Sequence, residues 1–188
     1  MSDRLPAAGS DADTVIDAFA FAREGGRLAR ATPIAALARL AASLQTGHPA
    51  AAGTVDWAVA GSVGPTPEGR PGLWLELQAR FAAPMQCMRC LETVVLPIEL
   101  QRRFKIERDA ALVDAEPLDQ DAYDAILGSP RFELLELLED EALLALPFSP
   151  MHAQCGLPDG ASAAQPAPAA EHPFAALAAL RRARDTPQ

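Results

Sequence analysis

Four side chains carry the chemistry that this sequence offers. Cys87-Met88-Arg89-Cys90 sets two thiols three residues apart, and His152 and Cys155 follow about sixty residues later. A tight turn between two such cysteines points both sulfurs the same way, which suits a single soft ion. The distant arm, with His152 and Cys155 three residues apart, completes a Cys3His set of tetrahedral zinc type. One structural zinc held by Cys87, Cys90, His152 and Cys155 is therefore the expected cofactor. Four protein ligands leave no open position for a substrate or a water, so a catalytic zinc is disfavoured. Two rival readings use the same residues. The cysteines suit small buried hydrophobes, or Cys87 and Cys90 serve a small thiol- or metal-dependent enzyme. Against redox chemistry, the pair precedes a strand rather than opening a helix whose dipole would lower a thiol pKa.

The elements that must position these groups are legible in the periodicity. After the cysteine pair, Val94, Leu96, Ile98, Leu100, Phe104 and Ile106 alternate with Val95, Pro97, Glu99, Gln101, Arg103 and Lys105, with Arg102 breaking the apolar side. Period two predicts a long strand with one buried face. Val55, Trp57 and Val59 mark a strand over 53–63, and Leu73, Leu75, Leu77, Ala79 and Phe81 mark another over 73–81. Trp74, Glu76, Gln78 and Arg80 then fall on a solvated face, as an antiparallel sheet allows. Residues 15–21 read as a short strand, and 27–44 as a helix with Thr32 as cap and Pro33 in its first turn. The strongest helix is 131–146, with Phe132, Leu135, Leu138, Ala142 and Leu146 in one stripe and Ser129-Pro130 at its start.

The fold class expected is α+β: a mainly antiparallel β-sheet packed against two main helices, with flexible tails. Residues 1–13 read as a tail, 14–156 as one domain, 157–173 as an Ala/Pro-rich linker and 174–188 as a short amphipathic segment.

Composition limits the partners. The 188 residues carry a formal net charge of -9 and only 5% aromatics. Broad phosphate binding needs a dense basic surface, so only a local patch is left as a direct RNA contact. Arg102, Arg103, Lys105 and Arg108 are that candidate patch, against the alternative of a solvated strand face. Trp57 and Trp74 offer base-stacking surfaces but more simply pack the sheet. Residues 109–128 are acidic and read as a solvated loop. Glu139, Asp140 and Glu141 sit late in their helix, against its dipole, and so are candidates for a surface that meets a basic partner. No apolar run of membrane-spanning length occurs. Met1 to Asp13 lacks the apolar core of a secretory signal, so the cytoplasm is expected, where thiols stay reduced.

Three blocks together resemble the YceD family of large ribosomal RNA subunit accumulation proteins, found in bacteria with plastid relatives. They are Cys87-Met88-Arg89-Cys90-Leu91 before a β run; Leu138 to Pro147, with Pro150 and His152 before Cys155; and Pro173-Phe174-Ala175-Ala176-Leu177-Ala178-Ala179-Leu180. The resemblance spans roughly 15–184. It implies a cytoplasmic, non-enzymatic protein supporting synthesis, processing or stability of 23S rRNA, acting with a ribosomal protein or large-subunit assembly factor and with the rRNA directly or indirectly. The chain departs from the family pattern at Glu133, where many relatives have aspartate. It also departs after the acidic helix, where some relatives carry more cysteines than Cys155 alone.

Overall fold

A computed structural model describes residues 14–116 and 122–155. The stretches read as tail, linker and amphipathic terminal segment (1–13, 157–173 and 174–188) lie outside the described residues. The architecture is α+β, built on a five-stranded sheet in the order β2-β3-β4-β5-β6. Its strands are β2 (Arg27–Pro33), β3 (Thr54–Pro65), β4 (Pro71–Gln86), β5 (Thr93–Glu107) and β6 (Asp124–Leu127). The first four pair antiparallel in chain order, and β6 joins β5 in parallel. A second, two-stranded sheet pairs β1 (Val15–Ile16) with β7 (Phe132–Glu133).

The alternating residues of β3, β4 and β5 form the core face. Val55, Trp57 and Val59 meet Leu75, Leu77, Phe81, Ile98, Phe104 and Ile106 in one buried cluster. Helices α1 (Ala18–Arg23), α2 (Ala38–Ser43) and α4 (Leu134–Leu144) supply apolar partners to that cluster, including Ala18, Leu40, Leu134 and Leu138. Helix α1 lies so close over β3 that a Cβ on Gly61 would stand 2.6 Å from the Phe21 carbonyl oxygen and 2.7 Å from the Ala22 Cα. Backbone cannot yield as a flexible side chain would. Gly61→Ala is therefore expected to destabilise the fold by about 1–3 kcal/mol, read as a lower urea midpoint.

Several local expectations are corrected. Residues 27–33 form a strand rather than the front of a helix, because Leu28, Arg30 and Thr32 pair across to Val59, Trp57 and Val55. Thr32 caps nothing; its hydroxyl accepts from the Trp57 indole N–H at 2.9 Å. What is left of the expected helix is a 3-10 turn (Ile34–Ala36) and the six-residue α2. Residues 15–21 hold a strand of only two residues, because Asp17 starts α1 by accepting from the Phe19 and Ala20 N–H groups at 2.9 and 3.0 Å. The acidic stretch is not all loop: Asp109 caps α3 (Ala110–Asp114), and β6 follows. Helix α4 begins at Leu134, and Ser129 instead accepts from the Arg131 N–H within the preceding turn.

Trp74 is not on a wet face. It is 1% exposed, as is Trp57. Tyr123 packs edge-on against it with ring centroids 5.0 Å apart, and the Arg103 guanidinium lies 4.1 Å from its ring. The segment around α3 thus roofs one end of the outer sheet face.

Candidate metal centre

The β4–β5 hairpin turns at Cys87-Met88-Arg89-Cys90-Leu91-Glu92. The Cys87 N–H donates to the Glu92 carbonyl at 2.9 Å, the Leu91 N–H donates to the Cys87 carbonyl at 3.0 Å, and the Arg89 N–H points at the Cys87 Sγ at 3.5 Å. Leu91 completes the turn in the left-handed region at φ 64°, a conformation that non-glycine residues adopt at some cost. This local winding brings both thiols to one side.

The second half of the site arrives with the chain leaving α4. The Met88 N–H donates to the Pro150 carbonyl at 2.9 Å, which pins that exit to the hairpin tip. His152 and Cys155 follow directly. Cys87 Sγ lies 3.7 Å from Cys155 Sγ, and Cys90 Sγ lies 3.3 Å from His152 Nδ1. All four ligand atoms fall within 4.8 Å of one another. A tetrahedral ion with metal–sulfur bonds near 2.3 Å requires sulfurs about 3.8 Å apart. The group fits that shape, with Cys87 buried and the other three partly so.

Electrostatics favours a cation there. The Cys87 thiol is held down to about 5, first by the Cys90 N–H and then by those of Arg89 and His152, which outweigh its burial. The Cys155 thiol is pushed up, by burial first and then by the neighbouring Cys87 and Cys90 sulfurs. One thiolate so close resists the formation of a second unless positive charge sits between them.

The other predicted residues are placed differently. Arg102 lies on the core face of β5, whereas Arg103 and Lys105 lie on the outer face and Arg108 lies past the strand. Arg102 donates to Glu141 and Asp124, each at 2.9 Å. Lys105 bridges Glu107 and Glu116; burial works against its ammonium, but these bonds outweigh it and raise its pKa. The Arg108 guanidinium lies 4.7 Å from the Phe19 ring centre. All four cations therefore have partners within the chain.

Two of the acidic trio turn inward, while Asp140 stays exposed. Glu139 is 9% exposed and Glu141 8%. One Glu139 carboxylate oxygen accepts from the Arg39 and Leu40 N–H groups at 2.7 and 3.1 Å, and the other accepts from the Arg39 side chain at 2.8 Å. It caps α2 from a hundred residues away, where the local N-cap, Leu37, has no side chain able to do so. Asp140 reinforces this with an ion pair to Arg39 at 2.6 Å. Burial pushes the Glu141 carboxyl up, and Arg102 pulls it part of the way back. Arg39, Glu116 and Tyr123 were missed as structural partners because nothing in their local sequence announces a pairing made at such range. A shallow hollow of about 430 Å³ on the outer sheet face is lined by Asp56, Gln78, Arg80, Glu99 and Gln101 among others, and none of its lining residues belongs to the thiol cluster.

The architecture is that of a small α+β domain whose hairpin tip and helix exit converge on a Cys/His cluster able to hold a metal ion. The chain belongs to the YceD family: the family model of the large ribosomal RNA subunit accumulation protein YceD matches residues 75–181, from within β4 through the knuckle, β5 and α4 and beyond. No curated protein matches the chain, and neither does any solved structure. Among the described residues no helix is long and apolar enough to cross a membrane.

Proposed function

We propose that this protein is a non-catalytic cytoplasmic factor that promotes accumulation of 23S rRNA during large-subunit assembly, acting mainly through protein contacts, with one structural zinc as its clasp. Membership of the YceD family is the observation that carries this reading. The metal assignment is supported by the Cys3His donor set and its tetrahedral spacing. Zinc would supply cohesion between the hairpin tip and the segment after α4, because four protein ligands leave no position for a reactant. A depressed thiol also suits a nucleophile, but Cys87 is fully buried, and a thiolate is equally what a metal requires.

The indirect route to RNA rests on charge. The chain carries -9 overall, and Arg102, Arg103, Lys105 and Arg108 already face acids or aromatic rings. Neutralising phosphates would require several unengaged cations on one face. A basic ribosomal protein or assembly factor is the favoured partner class. Depleting the protein in its own cells is expected to lower 23S relative to 16S rRNA, and restoring it to recover the ratio. The purified chain should not retain protein-free 23S rRNA at about 0.15 M salt. Firm retention there would overturn the indirect route, and an unchanged rRNA ratio would overturn the function itself.

A further inference from the structure

Among the described residues, several large exposed apolar side chains gather at the metal-centre end of α4. Leu144 is 73% exposed and Phe148 100%, and Met151 stands in solvent beyond them. Met88 on the knuckle is 64% exposed and adjoins this segment through its N–H bond to Pro150. Large apolar side chains this exposed, close along the chain and tied to the knuckle through Pro150, offer an interaction surface. It continues into an acidic ridge, because the exposed α4 residues Glu136, Asp140 and Leu144 recur every four positions and so share one face. The surface therefore asks for an occupant that is apolar at one end and basic at the other.

The chain contains such a segment. Phe174, Leu177 and Leu180 recur every third residue, and Arg181, Arg182 and Arg184 follow them. Cys155, at the metal centre, lies beside the patch, and the eighteen residues 156–173 separate it from Phe174. A linker of that length can span up to about 60 Å, so reach is not limiting. The family match extends to residue 181, so the region shared with the family takes in this segment together with the knuckle and α4.

We propose that residues 174–182 dock in cis on this surface, antiparallel to α4. Its apolar residues Phe174, Leu177 and Leu180 cover the exposed apolar side chains beyond the end of α4, and Arg181 and Arg182 meet the acidic ridge at Asp140. Asp140 Oδ1 pairs with Arg39 at 2.6 Å while its side chain stays 49% exposed, so a second cation can approach it.

Amide hydrogen exchange on the full-length, metal-loaded chain tests this. Residues 174–182 should be protected at every protein concentration used. Phe148→Asp and Leu180→Asp should each speed their exchange by about tenfold or more. Leu180 is not among the core residues, so unchanged protection of the α4 core amides in Leu180→Asp would separate lost docking from unfolding. Wild-type exchange at the rate of an unstructured chain would overturn the proposal. So would protection that both variants leave intact. Protection that grows with protein concentration would assign the surface to a second copy, and protection gained only on adding another protein would assign it to that partner; either result also overturns docking in cis.

Discussion

Replacing Cys87 and Cys90 with serine is expected to strip about one zinc from each chain and to lower the thermal midpoint by roughly 10–20 °C. Two sulfurs of the set leave together, and the remaining His152 and Cys155 cannot hold the ion alone. The consequence reaches beyond the turn. The cluster joins the tip of the β4–β5 hairpin to the chain leaving α4, beside the bond from the Met88 N–H to the Pro150 carbonyl. A chelator should reproduce the drop in the wild-type protein and leave the double variant unmoved, which separates metal loss from side-chain change. Elemental analysis beside thermal unfolding reads both effects. Metal-free wild-type protein with an unchanged midpoint in the variant would return the cysteines to a packing role.

Glu139→Ala is expected to cost about 2–4 kcal/mol, a large effect for a charged helix residue. Its carboxylate accepts two backbone N–H groups at the start of α2 and a side-chain bond from Arg39, and no residue at that helix end replaces it. Burial pushes this carboxyl up, but the Leu40 N–H and then the Arg39 groups outweigh it and hold it below its ordinary 4.5. The contribution is therefore fully present above about pH 4.5 and is lost as pH falls through the lower folded value. The gap in urea midpoint between the wild type and Glu139→Gln should accordingly narrow on acidification. Glu141 works in the opposite sense: its folded value is raised, so its contribution declines as pH rises through that value. A Glu139→Ala variant as stable as the wild type would free this carboxylate for the partner surface that its helix position first suggested.

The sheet and the metal residues were legible for different reasons. Strands β3, β4 and β5 announce themselves because one face is buried along much of their length, and period two survives any local propensity. Even the exception is informative. Arg102 interrupts the apolar side of β5 where the core face reaches Glu141, which answers it. The cluster was legible because cysteine is scarce here and the residue types suit one ion; the long gap is bridged by α4, which returns the chain to the hairpin tip. Residues 27–33 were misread because alanine and arginine favour helix locally, and pairing with β3 overrides that preference. Trp74 was assigned to water because the cover supplied by Tyr123 comes from an acidic stretch whose own pattern looks solvated. Contacts made at long range through polar side chains, such as Glu139 with α2, leave no periodic trace.

The hairpin tip and the helix exit also set an order of events during synthesis. Cys87 and Cys90 leave the ribosome first; Cys90 and His152 are separated by 62 positions, and Cys87 and Cys155 by 68. Until the last ligands emerge, the nascent chain offers only a two-thiol half-site, which grips an ion weakly. Closing a loop of this size removes about 4 kcal/mol of denatured-state freedom, and that gain arrives only at the end. Strands β2 to β5 can pair as they emerge, while the clasp waits for α4 to be completed. A metal held by this set would thus be captured on the finished domain rather than seed its folding.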